Sequence, residues 1–160
     1  MSFAIIAAIA RNNVISKDNK LPWDIPEDLE HFYHLVSGKI VVMGYKTYES
    51  LKGPLENSKN IVLSRNRSLK LPRCLVMHSI TEVLLRYQGS FEEIMIIGGA
   101  PIYREFLPYV DKMYLTLLEQ DIEGDIYFPA WQNDEWRITS KRTAKSNLYS
   151  YNFLVLERKK

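Results

Sequence analysis

Short apolar runs recur along this chain and alternate with segments that read as helices, and this alternation limits the fold more than any other feature. Residues 3–10, FAIIAAIA, are continuously apolar, the pattern of a strand covered on both faces. Residues 39–43, 60–63, 74–77 and 93–97 contain similar runs. Between them, residues 26–36 carry acids in the first turn and Gly38 just past the end, which are helix start and stop signals. Residues 46–51, 80–87 and 101–107 are shorter helical candidates, the last bounded by Pro101 and Pro108. After Asp111, residues 113–118, 136–139 and 151–156 read as strands with no helix between them. The expectation is an α/β fold: a mostly parallel central sheet of about eight strands with an antiparallel C-terminal strand, flanked by about four helices. The 160 residues suit one domain, 1–160, with a core that needs no disulfide or metal. No repeat, low-complexity segment or linker divides them.

Charge and cysteine content exclude several function classes. The net charge is +2, with acids and bases interspersed, so no nucleic-acid footprint is visible. The two lysines after Arg158 read as a solvated end. Cys74 stands alone, without a disulfide framework or a CxxC pair. The run at residues 3–10 is too short to span a membrane and has no basic region before it, so it does not read as a secretory signal. A reducing, cytoplasmic location is the default expectation.

The strand ends carry the first functional signal, because ligands of open α/β sheets bind beyond the carboxyl ends of parallel strands. Those ends read Gly44-Tyr45-Lys46-Thr47, Ser64-Arg65-Asn66, His78-Ser79 and Gly98-Gly99-Ala100. Small residues, hydroxyls and cations beside helix starts suit a phosphorylated ligand, and paired glycines let a backbone approach a pyrophosphate. Each end alone also reads as an ordinary turn or a solvated loop. Neither GxGxxG nor a Walker A sequence is present.

The second signal is Asp28. Ile25, Leu29, Phe32, Leu35 and Val36 mark an apolar stripe on the first helix, and at ~100° per residue Asp28 falls within its arc. One reading is a solvated acid complementing the helix dipole. The other is a partly buried carboxylate whose pKa is raised, or whose charge accepts paired hydrogen bonds from an amidine-like edge. Periodicity leaves both open.

Ordered motifs point further. Residues 21–32, LPWDIPEDLEHF, resemble the LPW-x-x-P-x-D-L-x-x-F segment of dihydrofolate reductases. Residues 43–50 (MGYKTYES), 59–65 (KNIVLSR), 97–103 (IGGAPIY) and 123–129 (EGDIYFP) resemble further blocks of that family, in its order. The resemblance implies NADPH-dependent reduction of 7,8-dihydrofolate to 5,6,7,8-tetrahydrofolate, by hydride transfer to C6 with protonation of N5, in a monomer. It implies that Asp28 holds the 2-amino group and N3 of the pterin, that Thr116 supports Asp28, and that Trp23 closes the pocket near a water. Ile6, Ala8, Phe32, Leu51, Leu55, Ile97 and Tyr103 would complete the substrate site. Ala8, Ile15, Gly44, Lys46, Thr47, Leu63, Ser64, Arg65, His78, Gly98, Gly99, Ala100, Ile102 and Tyr103 would line the cofactor site. A cis peptide is implied between Gly98 and Gly99, and residues 15–23 would form a mobile cover.

The chain also departs from the family pattern. Tyr45 stands where an arginine usually helps bind the cofactor's 2′-phosphate, leaving Arg65 and Lys46 to supply charge. Ser58 stands where an arginine usually grips the glutamate carboxylate of folate, with Lys52 or Lys59 as partial substitutes. Ser16 replaces a common glycine in the cover, and Pro101 offers the cofactor no charge. Ser58 keeps open a reductase of a tail-less pterin or of a riboflavin-pathway intermediate, and a non-catalytic nucleotide-binding module is the third reading. His31 and His34 read as surface residues without a metal set, and Trp131 and Trp136 as packing residues. Glu119, Asp121, Glu123 and Asp125 read as a solvated connection rather than a cation site.

Overall fold

The computed structural model describes residues 2–17, 21–146 and 148–160. In chain order the elements are β1 (Ser2–Ile9), β2 (Val14–Ser16), α1 (Pro26–Val36), β3 (Ile40–Gly44), α2 (Tyr45–Leu51), β4 (Lys59–Leu63) and β5 (Cys74–Met77). There follow α3 (Ile80–Arg86), β6 (Glu93–Gly98), α4 (Ala100–Phe106), β7 (Lys112–Leu118), β8 (Ile126–Tyr127), β9 (Trp136–Lys145) and β10 (Ser150–Arg158). The main sheet has eight strands in the order β5-β4-β3-β6-β1-β7-β10-β9. Strands β5 to β7 pair in parallel, and β10 runs antiparallel to both β7 and β9. The expected α/β sheet with its antiparallel finish is therefore present.

Except at the edge strand β5, where Leu75 is exposed, the apolar runs are strands covered twice, and period two sorts their side chains between the faces. Phe3, Ile5, Val42, Ile61, Ile94 and Ile96 pack with Val83 of α3 and Phe106 of α4. Ala4, Ile6, Val41, Met43, Val62, Met95 and Ile97 pack with Val36 of α1, and Phe32, Tyr48 and Leu51 close over them. Crossovers running outward from β1 place α1 and α2 on one face, and those returning through β6 place α3 and α4 on the other. Strand β6 inserts between β3 and β1, so the connections leaving β3 and β6 diverge. Such a switch point opens a crevice at the carboxyl ends of the strands.

Three elements differ from expectation. Leu29 does not join the buried stripe of α1; it is 52% exposed, because the sheet-facing arc is filled by Ile25, Phe32, Leu35 and Val36. Strand β9 continues to Lys145 through polar sequence, held by backbone pairing to β10 rather than by an apolar face. Its exposed Arg137, Lys141, Arg142 and Lys145 also discourage another strand from adding to this edge. The small antiparallel pair β2–β8 escapes sequence patterning because its strands have only three and two residues. No described helix is long and apolar enough to cross a membrane.

Candidate active site

Asp28 lies in the first turn of α1, above Thr116 of β7. The Thr116 hydroxyl donates to Asp28 Oδ1 at 2.6 Å, and Thr116 is itself buried. Burial raises the Asp28 pKa above its ordinary 3.8, while the threonine hydrogen bond pulls the other way. The partly buried reading of Asp28 is therefore the one the fold adopts. Ile6, Phe32, Leu51, Leu55 and Ile97 meet in one cluster at the carboxyl ends of β1 and β6. Together with Ala8 and the Asp28–Thr116 pair they draw substrate candidates from β1, α1, α2, β6 and β7 into one region.

Asn60, unremarked in the sequence, braces this apolar wall. Its side chain is 3% exposed, accepts from the Leu55 N–H at 2.9 Å and donates to the Leu55 carbonyl at 2.8 Å. Its only sequence signal is a polar residue opening an apolar run. Trp23 is buried with Ile25 and Tyr151, and its indole N–H has no acceptor among the described residues. A buried donor of this kind calls for a water or ligand oxygen.

The other strand ends come together at a second candidate cleft. A Cβ built on Gly44 would lie 3.2 Å from Ile102 Cγ1 and 3.9 Å from the Gly98 carbonyl, while one on Gly99 would lie 3.7 Å from Thr47 Oγ1. The turns leading into α2 and α4 thus abut, and neither helix has a side-chain N-cap. Backbone N–H groups at such ends suit phosphate oxygens. The Gly98–Gly99 peptide is cis, as expected. Tyr103 reaches up from the opposite face, where its hydroxyl lies 2.7 Å from the Ile6 carbonyl and 2.9 Å from that of Ile97. Tyr103 is buried, so it fixes the floor shared by the two clefts.

Towards the sheet edge, His78 Nδ1 meets the Ser64 carbonyl at 2.8 Å, bringing the ends of β4 and β5 together beside buried Leu63 and exposed Arg65. A hydrogen on Nδ1 would make this a donated bond and leave Nε2 to accept. Lys46 is exposed next to Thr47, whereas Tyr45 folds inward and meets Tyr48 edge-on at 6.0 Å. Positive charge along this cleft therefore comes from Lys46 and Arg65.

The cover expected at residues 15–23 is described except for 18–20, which lie outside the described residues. Its start is clamped by the acidic connection. Arg11 pairs with Asp121 at 3.1 Å, Lys17 with Glu123 at 3.1 Å, and Asn12 exchanges hydrogen bonds with the Ile122 backbone. Glu119 accepts from Asn152 at 2.9 Å, and the Asp125 N–H donates to the Ser16 carbonyl. These acids are exposed, as a solvated connection requires, and they also make long-range contacts. They tie residues 119–127 to residues 11–17, and their partners lie too far away in sequence for a local pattern to show. Ile15 is buried in the core beneath this clamp.

His31 also departs from the surface reading: it is half-buried with its ring 4.2 Å from that of Phe153. His34 is exposed, as expected. No group of three His, Cys, Asp or Glu that could hold a metal occurs among the described residues. Trp136 packs beneath Arg158 and Trp131 against Phe128, both in packing roles.

Comparison with known proteins agrees with this geometry. A family model described as dihydrofolate reductase matches residues 2–158. The chain is 40% identical to a dihydrofolate reductase of Haemophilus influenzae, over 99% of this chain and 100% of that protein. It is 38% identical to one of Bacillus subtilis, over 98% of this chain and 94% of that protein. Its fold superimposes with a TM-score of 0.92 on the structure of dihydrofolate reductase from Enterococcus faecalis complexed with NADP(H) and RAB-propyl, at 31% identity, covering 99% of this chain and 97% of that one. By sequence along its length and by fold, the chain belongs to the dihydrofolate reductase family.

Proposed function

We propose that the protein reduces 7,8-dihydrofolate to 5,6,7,8-tetrahydrofolate with NADPH, and that the Asp28–Thr116 pair beside the apolar slot is its substrate anchor. The observation that carries this reading is the 2.6 Å hydrogen bond from Thr116 to Asp28 Oδ1, which holds a half-buried carboxylate on the helix that brings Phe32 to the apolar cluster of Ile6, Leu51, Leu55 and Ile97. Ionised Asp28 accepts from N3–H and the 2-amino group of the pterin, a paired, charge-assisted contact that fixes the ring's orientation. The apolar walls hold the ring and the aminobenzoyl group and exclude water. Asp28 grips the edge of the ring opposite N5, so it polarises the ring while a water delivers the N5 proton. The unpartnered Trp23 N–H suits holding such a water.

The cofactor cleft fits a dinucleotide on its own geometry: close-set glycine turns, uncapped helix starts, and cations at its outer end. Gly44, Lys46, Thr47, Gly98, Gly99, Ala100 and Ile102 would hold the pyrophosphate and adjoining parts. Leu63, Ser64, Arg65 and His78 would take the adenosine end, and Ala8 and Ile15 the nicotinamide carboxamide, with Tyr103 bracing the floor. NADPH supplies the hydride delivered to C6. Both clefts are built within one chain and Cys74 is free, which supports a monomer acting in a reducing cytoplasm.

Arg65 is the residue assigned to the 2′-phosphate. Replacing Arg65 with Gln should reduce the ratio of kcat/KM for NADPH to that for NADH by about tenfold, the scale of one charge-assisted contact. Equal loss with both cofactors would remove Arg65 from that role.

A second reading is favoured by the fate of Ser58. Its hydroxyl donates to the Val36 carbonyl at 2.9 Å, and Lys59 Nζ lies 5.9 Å from the Tyr87 ring, directed towards the α3 side. Neither is turned to grip a folate carboxylate, which leaves Lys52 and keeps a tail-less dihydropterin in view. Following NADPH oxidation with dihydrofolate and with a tail-less dihydropterin separates the readings. Turnover of dihydrofolate supports the first. Turnover of tail-less pterins alone gives the second, and cofactor binding without turnover of either gives a non-catalytic module.

A further inference from the structure

The helix that carries Asp28 has no side-chain cap: its N-cap position is Ile25, so its first turn lacks the usual anchor. The sheet supplies one instead. Ala8, Thr116, Phe153 and Arg142 are successive cross-strand neighbours on β1, β7, β10 and β9. Three of them meet α1. Thr116 holds Asp28, and the Phe153 ring meets the His31 ring at 4.2 Å. Arg142 places its guanidinium 4.3 Å from the centre of the same Phe153 ring and donates from Nη1 to Glu27 Oε1 at 3.0 Å. Buried Tyr151, two residues away on the same strand, meets Phe153 edge-on at 5.4 Å, and its side chain also hydrogen-bonds Glu27. Glu27, Asp28 and His31 thus each meet a member of a single register line, Glu27 being shared with Tyr151.

We infer that Arg142 is a positioning residue for the substrate anchor: through Glu27 and Phe153 it fixes the first turn of α1, so that Asp28 meets the substrate ring with its Thr116 bond intact. A planar guanidinium suits this task because it stacks on a ring and bonds a carboxylate at the same time, which an ammonium does less well. Burial, then the charge of Arg142, lower the His31 pKa, which favours the neutral ring stacked on Phe153. Tertiary stability is not what the pair chiefly supplies. The Arg142 and Glu27 side chains are 59% and 45% exposed, and an exposed ion pair contributes little to folding. Its consequence is geometric, since small displacements of a binding group cost rate and affinity out of proportion to their size. Apart from Ala8, the cofactor candidates lie off this register line, and none of them meets Glu27 or His31 among the described contacts.

This inference rests on the proposed reduction of dihydrofolate, and one pair of measurements separates the two. The first is steady-state turnover of dihydrofolate with NADPH. Arg142→Met should raise the KM for dihydrofolate about tenfold, with the KM for NADPH changed by less than about twofold and Tm nearly unchanged. Arg142→Lys should recover part of the loss. Glu27→Gln should raise the same KM, and adding it to Arg142→Met should raise it by less than the two single effects combined, because the variants share the Arg142–Glu27 contact while Glu27 also meets Tyr151. The second measurement titrates a 2,4-diaminopteridine, whose amidine edge seeks the same carboxylate, by tryptophan fluorescence in the wild type and each variant. If wild-type protein fails to turn over dihydrofolate, the proposed function falls, and the diaminopteridine affinities still test the clamp. Unchanged dihydrofolate KM and unchanged diaminopteridine affinity in Arg142→Met and Glu27→Gln overturn the inference. So does an equal rise in the KM values of both substrates, which would mark a general loosening of the fold.

Discussion

Asp28→Asn lowers kcat/KM for dihydrofolate at pH 7 by roughly two to three orders of magnitude, the scale of removing one preorganised electrostatic partner from a desolvated site. The amide keeps the shape of the carboxyl but loses the charge, and it presents a donor where the pterin edge also donates. In the wild type the anion is required, so kcat/KM falls on the acid side, as Asp28 is protonated. Because burial raises its pKa, that limb lies above the ordinary 3.8 of an aspartate. The Thr116 hydroxyl favours the charged form, so Thr116→Val moves the limb to still higher pH.

A stability change of opposite sign accompanies the loss of activity. A carboxyl whose native pKa is raised gives stability that is full below its unfolded pKa, about 3.9, and is lost as the pH rises through the native value. At neutral pH the wild type therefore carries the cost of a half-buried charge, and Asp28→Asn does not. Ligand-free Asp28→Asn should melt at a higher temperature than wild type at pH 7, and the difference should shrink on acidification. A pH series of melting curves beside the turnover assay checks both. Unchanged turnover would remove Asp28 from the site, and a lower Tm at pH 7 would show that its charge is stabilised rather than strained.

What the sequence could not disclose follows from where each partner lies. Double-covered strands announce themselves as continuous apolar runs, so β1, β3, β4 and β6 could be read directly, while the edge strand β5 shares the run but leaves Leu75 exposed. Asp28 also showed itself, because a carboxylate inside an apolar arc breaks the helix pattern. Its neighbour Leu29 misled: at that turn the sheet-facing place is taken by Asp28, bonded to Thr116, and Leu29 is left exposed. The ion pairs of residues 119–123 with Arg11 and Lys17, and the clamp of Glu27, Arg142, Phe153 and His31, join segments more than a hundred residues apart. Such contacts leave no local periodicity, and the polar half of β9 that supplies Arg142 reads as loop until β10 is laid beside it.

Gly98→Ala should remove most cofactor affinity and destabilise the fold at once, because this residue has neither the torsion nor the space for a side chain. Its φ is +116°, in the region that L side chains rarely adopt. A Cβ there would lie 3.0 Å from the Tyr103 hydroxyl and 3.1 and 3.2 Å from two of its ring carbons. The methyl would press on the hydroxyl that braces the carbonyls of Ile6 and Ile97, and the backbone strain alone costs about 1–3 kcal/mol. Relief by moving Tyr103 away leaves its buried hydroxyl and the strand carbonyls unpaired, at a further cost of about 1–3 kcal/mol. Relief by shifting Gly98 instead moves the turn that abuts Gly44 and Thr47, where the dinucleotide is held. Either route reaches the cofactor cleft: the first disturbs its floor and the second its rim. NADPH affinity, read by quenching of tryptophan fluorescence, should fall by about a hundredfold, equivalent to ~2.7 kcal/mol, together with a clear drop in Tm. Gly53→Ala is the matched control: Gly53 has φ +132°, and a Cβ there would meet nothing within 4 Å. It bears the torsional strain without the collision, so it should lower Tm while leaving NADPH binding near wild type. If Gly98→Ala binds NADPH as wild type does, the cleft between the β3 and β6 ends is not the cofactor site.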